Sequence, residues 1–333
     1  SGKTDKIKYR TKAERSGVSI ATVSRVLNGS PNVRPQTRER VLAVMQEEGY
    51  TPNAFARGLG LNTMQMVGLL CTDISDTFYA KAASLIESDL RRQGFDSLLC
   101  CTGNSLEDKK KYLELLLAKH VDAVILTGSA FKESTDNSHI EAAAKHVPVI
   151  IINGLVELPN VYCVLCDEAS AMRDNVKLLA AQGHQKILYL YDALTYSGRA
   201  KLEGYRSGLV QSGLSVDDSL IVKIPKELGQ AVCTVGQLLD SGSCFTAVIA
   251  SEDLLAVGAL KALQARSLQA PVIGFNNSVL AECSSPSLSS VDNRLDILCP
   301  TAVNLLTGLL EGRPAPPKTT IPAKLILRET FQV

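Results

Sequence analysis

Ser19, Ile20, Ala21, Thr22, Ser24 and Arg25 crowd into one run, Gly17-Val-Ser-Ile-Ala-Thr-Val-Ser-Arg-Val-Leu-Asn-Gly29. Hydroxyls, a guanidinium and small apolar groups suit hydrogen bonding and close contact with a polyanion, provided they share a surface. A helix supplies that surface. Ser19 is a favoured N-cap, Val23, Val26 and Leu27 recur at helical spacing as a buried stripe, and Asn28-Gly29 closes the helix in left-handed backbone. Ile20, Ala21, Ser24 and Arg25 then lie on the other faces, open to a partner. Gly17 permits a tight turn beforehand, and a further helix is expected over 35–48, opened by Pro35 and striped by Val41, Val44 and Met45. Short helices around so tight a turn read as a helix-turn-helix, whose second helix enters the major groove. A small helical docking domain is the plainer alternative.

Charge favours the first reading. The 333-residue chain has a net charge of +1, but residues 1–61 carry eleven Lys/Arg against five Asp/Glu, and the remainder is acidic. A basic head on an acidic body is the footprint of a nucleic-acid-binding module joined to something else. Composition is that of a soluble globular protein, with 45% hydrophobic and 21% charged residues. No apolar run approaches the ~20 residues of a membrane span, and no apolar stretch follows Lys3, Lys6 and Lys8 as in a secretory signal. A cytoplasmic protein with reduced thiols is expected, and its nine cysteines include one CxxC, Cys163 to Cys166.

Enzyme constellations are missing. Ser1-Gly-Lys-Thr4 lacks the strand and glycine-rich turn of a phosphate loop. There is no Gly-x-Ser-x-Gly elbow, and His120, His139, His146 and His184 have no metal-ligand spacing. Neither metal, cofactor nor catalysis is expected.

From residue 66 onward, strand-like runs at 67–71, 97–101, 123–126, 147–152, 187–190, 247–250 and 272–275 alternate with amphipathic segments. Helices are expected over 79–93, 106–119, 140–145, 168–182, 199–212, 228–241, 254–266 and 299–311. This βα alternation predicts an α/β class with parallel sheets covered on both faces. Its length calls for two subdomains, with a ligand at the strand carboxyl ends between them.

The stretches Val18-Ser19, Thr22-Val23-Ser24-Arg25-Val26-Leu27-Asn28-Gly29, Thr37-Arg38, Gly49-Tyr50 and Pro52-Asn53-Ala54-Phe55-Ala56-Arg57-Gly58-Leu59 resemble the DNA-binding head of the LacI/GalR repressor family, especially its catabolite-control branch. The likeness continues to about residue 327 through Asp73-Ile-Ser-Asp76, Asp122-Ala-Val-Ile125, Gly183-His184, Gly204-Tyr205, Ile273-Gly274-Phe275 and Ser290-Val291-Asp292. It implies a three-helix head, a hinge helix and a periplasmic-binding-protein-like core. It places Ile20, Ala21 and Arg25 in direct base readout. An arginine can bond two acceptors on one guanine, for about 1–3 kcal/mol of discrimination. Ser19, Thr22 and Ser24, with Asn28 at the helix end, are expected to hold phosphates or position the helix. In the hinge, Leu59 would wedge into a central base step while Ala56 and Arg57 line the minor groove. Lys12 and Arg15 stand where the family's first helix carries apolar residues, and would lengthen the phosphate-binding surface.

The same resemblance implies an effector site of Asp73, Ser75 and Phe78 after the first strand, Arg199, Asp253, Asn276 and Asn293. Arg199 would clamp hydroxyls or carboxylates. Lys226 stands where some sugar-responsive relatives carry an aromatic residue, and Asn276 where an aspartate is common. An extra cation and a missing acid would favour an anionic ligand, a sugar acid or sugar phosphate. The expected domains are a head over 1–52 and a hinge over 53–65. One core subdomain would comprise 66–162 with 293–322, the other 163–292 with 323–333, the chain crossing near 162, 292 and 322. The resulting expectation is a homodimeric repressor on a near-palindromic operator, controlled by a small metabolite (a sugar, sugar acid or sugar phosphate) bound between the two core subdomains, with no membrane partner. One alternative is a catabolite-control regulator whose co-repressor is a phosphorylated carrier protein docking near Arg91-Arg92. Another is a sugar-binding receptor without DNA activity.

Overall fold

Gly17 turns the chain with φ 63°, a left-handed value that a Cβ opposes. It ends a helical turn over 13–16 in a computed structural model that describes residues 13–27, 30, 32–47 and 63–333. Two residues on, Ser19 Oγ accepts a hydrogen bond from Thr22 N at 3.1 Å, satisfying a backbone donor that a helix start leaves orphaned. Helix α1, Ile20–Leu27, follows, and then α2, Pro35–Glu47. Val23, Val26 and Leu27 pack with Ala13, Val41 and Met45, flanked by Val18 and Val33; Val44 is only half-buried. Arg15 does not take an inward place: it is exposed and pairs with Glu47 at 3.5 Å, while Ala13 and Ser16 are the buried residues of that turn. The readings of Lys12, Asn28, Ala56, Arg57 and Leu59, and of the hinge helix up to residue 62, lie outside the described residues.

The body forms two sheets. The first has the order β11-β5-β4-β3-β1-β2, with β1 Met66–Cys71, β2 Asp96–Cys101, β3 Ala123–Thr127, β4 Val149–Ile152, β5 Val161–Asp167 and β11 Lys318–Pro322. Every pairing in it is parallel. Such a sheet must be covered on both faces, which is why β4 is Val-Ile-Ile-Ile and wholly buried. Helices α3 (Thr77–Arg92) and α11 (Leu295–Leu310) cover one face. Helices α4 (Leu106–Ala118) and α5 (Ser138–Ala144) cover the other.

The second sheet runs β12-β10-β9-β8-β6-β7, from β6 Ile187–Tyr191, β7 Ile221–Lys223, β8 Ala247–Ala250, β9 Val272–Phe275, β10 Ser289–Asp292 and β12 Lys324–Ile326. Only β12 is antiparallel. Helices α6 (Glu168–Ala181) and α7 (Tyr196–Gln211) cover one face. Helices α8 (Leu228–Asp240) and α9 (Asp253–Gln264) cover the other, with α10 (Val279–Cys283) at its edge.

The chain passes between the sheets after Asp167, Asp292 and Pro322. The first of these corrects the boundary expected near 162. Strand β5 continues to Asp167 because Val161, Cys163 and Leu165 fill one core while Val164 and Cys166 fill the other. That alternation also separates the two thiols of the CxxC onto opposite faces of the sheet, so they form no pair.

Helices α6 and α7 cross closely because α7 carries glycine where they meet: a Cβ on Gly204 would lie 2.3 Å from Ala169 O. Backbone cannot yield as a side chain does. Gly204→Ala is therefore expected to cost at least the ~1–3 kcal/mol of overpacking. Urea denaturation of the variant beside the parent protein checks it, and an unchanged midpoint would refute the close crossing.

Candidate functional site

Strand order places one cleft. In each sheet the first strand has its sequence successors on both sides, β1 between β2 and β3, and β6 between β7 and β8. Loops diverge at such a switch point and leave a crevice at the strand carboxyl ends. The crevices of the two sheets face each other across a cavity of about 260 Å³. Residues just past β1, β3 and β4 (Thr72 and Asp73, Gly128, Asn153) meet residues just past β6, β8 and β9 (Asp192, Ser251, Asn276) there.

Two polar contacts close the lobes. Ser129 Oγ donates to Thr195 Oγ1 at 2.8 Å. Lys226 of the second lobe pairs with Asp76 of the first and with Glu252 Oε2 at 2.6 Å. Burial opposes the charge on Lys226, but Glu252 and Asp76 outweigh it and hold the ammonium well above the usual lysine range. Burial, reinforced by repulsion from Asp192, pushes Glu252 up to about 7 against the pull of Lys226. The Asp192 carboxylate has no hydrogen bond or ion pair among the described residues. On the cleft floor, Glu168 accepts from Ser197 Oγ. Lys201 Nζ donates to Ser251 O at 2.9 Å and stands 4.0 Å from the centre of the Phe275 ring. The buried Ser251 Oγ lacks a partner among the described residues.

Several expected effector residues meet in this cleft. Phe78 lines it, set edge-on to Tyr79 at 5.3 Å, and Asn276 and Lys226 line it too. Asp73 lies on its rim, its carboxyl held below the usual range by hydrogen bonds from the side chain and backbone of Ser75. Ser75 itself is exposed on the lip. Asn293 is buried behind, its Nδ2 donating to Asn276 Oδ1 at 3.0 Å, so it positions Asn276 rather than lining the cavity.

Arg199 is elsewhere, and Asp253 lines an adjoining smaller cavity with Asp76, Lys226, Glu252 and Asn276 rather than the main one. Ser197, Gly198 and Lys201 form the buried side of α7, and Arg199 falls outside that arc, exposed, with Nε donating to Leu194 O at 3.0 Å. The cation turned inward is Lys201. Asp253 is consumed in structure: Oδ1 accepts from Ser290 Oγ at 2.6 Å, and Oδ2 from Ser278 N and Oγ at 2.7 Å. Its neighbour Glu252 is the acid that faces the cleft. Helical phase held the signal for Lys201, which stands one turn after Ser197. No sequence signal singled out Asp192.

On the head, Ser19, Ile20, Ala21 and Arg25 are exposed and Thr22 and Ser24 half-buried. Ile20 is 48% exposed. Elsewhere, Arg91 pairs with Glu87 and Arg92 with Asp89 on their own helix, so the basic patch expected to receive a phosphorylated carrier is neutralised locally. Among the described residues no three His, Cys, Asp or Glu side chains could hold a metal, and no helix is long and apolar enough to cross a membrane.

Comparison with known proteins agrees with both halves of this geometry. Residues 13–53 match bacterial regulatory proteins of the lacI family, and residues 64–298 match the periplasmic binding proteins and sugar binding domain of the LacI family. An HTH-type transcriptional regulator of Lachnoclostridium phytofermentans is 47% identical, over 96% of this chain and 97% of the relative. Catabolite control protein A of Priestia megaterium is 35% identical, over 89% and 90%. Among solved structures, the Lac repressor dimer bound to operator and the anti-inducer ONPF superposes with a TM-score of 0.83 at 26% identity. That match covers 96% of this chain and 97% of the other.

Proposed function

The chain belongs to the LacI family of DNA-binding transcriptional regulators, and from that premise we propose that it acts as a homodimeric repressor whose effector is a neutral sugar. Two heads would lay helix α1 into successive major grooves of a near-palindromic operator. Ile20, Ala21 and Arg25 would meet base edges, and Ser19, Thr22 and Ser24 the backbone. Asn28, Ala56, Arg57 and Leu59 keep the DNA roles the family resemblance gives them. The proposed units are a head, a hinge and two core subdomains, with the first core crossing at Asp167. A ligand in the cleft that binds one lobe arrangement better than the other shifts the population of the DNA-competent state.

One observation carries the ligand class. Five carboxylates (Asp73, Asp76, Glu168, Asp192 and Glu252) line the cavity against two ammoniums (Lys201 and Lys226). The anionic ligand suggested by Lys226 alone loses its support, because that cation is already held between Asp76 and Glu252. A sugar acid or sugar phosphate would enter a field of its own sign, whereas carboxylates and asparagines are ready acceptors for hydroxyls. The cavity is near the small end of ligand pockets, which run from about 300 Å³ upward.

Titration calorimetry with neutral sugars beside their aldonic acids and phosphates tests this. A neutral member is expected to bind, and its acid at least tenfold more weakly. Tighter binding of the acid would overturn the assignment. A gel shift across salt concentrations tests the DNA-binding half, since phosphate contacts make affinity fall steeply with salt.

A further inference from the structure

Cys71 and Cys101 are register partners on the parallel strands β1 and β2, and their Sγ atoms stand 3.7 Å apart. Register partners send their side chains to the same side of a sheet, and neighbouring strands run about 4.8 Å apart. That spacing lies inside the range of about 4.4–6.8 Å between Cα atoms that a disulfide requires. Cys100, next in sequence, points to the opposite face and is buried with Leu70 and Leu113.

The two thiols differ in access: Cys71 is buried and Cys101 exposed. Cys233, Cys244 and Cys283 are exposed as well, but no second sulfur stands beside any of them among the described residues. The pair also occupies a sensitive place. Thr72 and Asp73, which follow Cys71, line the cleft. Cys71 O and Thr72 O accept hydrogen bonds from Thr102 N at 2.9 Å and Gly103 N at 2.8 Å, so the ends of β1 and β2 are already tied where the thiols meet.

We propose that Cys71 and Cys101 form a peroxide-responsive dithiol that closes to a disulfide at the root of the cleft. The exposed Cys101 sulfur attacks hydrogen peroxide, the O–O bond breaks, one oxygen stays on sulfur as a sulfenic acid, and the other leaves as water. The Cys71 sulfur then attacks the Cys101 sulfur. The S–S bond forms, the S–O bond breaks, and the hydroxyl leaves with the Cys71 proton as a second water. Two thiols give up two electrons and one peroxide takes them. Burial, then the neighbouring Cys101 and the carboxylates of Asp73 and Asp76, push the Cys71 thiol up to about 12, so Cys101 rather than Cys71 is the sulfur that meets peroxide first.

The full chain, fully reduced and then exposed to hydrogen peroxide, tests this by non-reducing peptide mapping after alkylation. The expected product is a peptide pair joined through Cys71 and Cys101 that dithiothreitol separates, with two fewer free thiols in the intact chain. Cys100→Ser should give the same pair. Cys101→Ser, at an exposed position, should leave Cys71 a free thiol. Oxidation that stops at sulfenic or sulfinic acid on Cys101, or that joins Cys101 to Cys100 or to a second chain while Cys71 stays free, would overturn the assignment.

Discussion

Asp253→Ala is expected to destabilise the second lobe by about 3–5 kcal/mol, read as a lower urea midpoint of the full chain. The carboxylate is 2% exposed and accepts from Ser290 Oγ, Ser278 Oγ and Ser278 N, so truncation strands three donors. A buried group left unsatisfied costs about 1–3 kcal/mol, and rotation of the two hydroxyls recovers part of that. The three bonds join the first turn of α9 to β10 and to the start of α10, so their loss loosens three elements together. Asp253→Asn keeps one acceptor oxygen and should cost less. The pH dependence has a definite sign. Burial raises the Asp253 carboxyl above its ordinary range, although the serine bonds favour its charged form. The native state therefore binds this proton more tightly than the unfolded chain does. That contribution is fully present below the ordinary carboxylate range and is lost as pH rises through the raised value. Asp253→Asn should lack this slope. A loss below about 1 kcal/mol in the alanine variant would show that water replaces the carboxylate at little cost.

Local physics was legible in the sequence wherever one short segment contained all the participants. Ser19 caps the helix it opens, Val23, Val26 and Leu27 bury as a stripe, and apolar runs such as 149–152 form central strands because nothing else tolerates burial on both faces. Strands that borrow satisfaction from afar were not legible. In β10, Ser289 is wholly buried yet donates to Phe331 O and accepts from Arg328 N, partners at the far end of the chain, so it carries no apolar signature. Edge strands β11 and β12, with Lys318 and Lys324, look like linker for the same reason.

Where the expected effector residues depart from the observed cleft, they do so by phase and by partner. Arg199 and Asp253 each stand within two residues of the side chain that faces the cleft, Lys201 and Glu252. A motif aligned in a loop cannot resolve such an offset, whereas a helix face does. Lys226 does line the cavity; what its partners change is the ligand charge read from it. Its charge is visible in the sequence, but its neutralisation by Asp76, 150 residues away, is a property of the closed cleft. Taken alone Lys226 argues for an anion; with Asp76 and Glu252 beside it, the surplus is negative.

Arg25→Ala is expected to weaken specific operator binding by about 30-fold to 10⁴-fold. One bidentate arginine–guanine contact discriminates by about 1–3 kcal/mol. The proposed dimer on a near-palindromic site would lose it twice, and each 1.4 kcal/mol is tenfold. Stability should hardly change, because Arg25 is exposed while Val23, Val26 and Leu27 make the core of the head. Selectivity separates this reading from a plain phosphate contact. Losing a base contact relaxes preference at one operator position and leaves the salt slope nearly intact, whereas losing a phosphate contact weakens every sequence alike and lowers the slope by about one. Thr22→Ala is the contrasting variant, since its hydroxyl stands 2.9 Å from Ser19 Oγ at the helix start, where the proposed function puts a backbone phosphate. Gel shifts on the operator and on single-position operator variants, each at two salt concentrations, read both quantities. Equal weakening of Arg25→Ala on every sequence, with a shallower slope, would move Arg25 from the bases to the phosphates and leave the reading of sequence to Ile20 and Ala21.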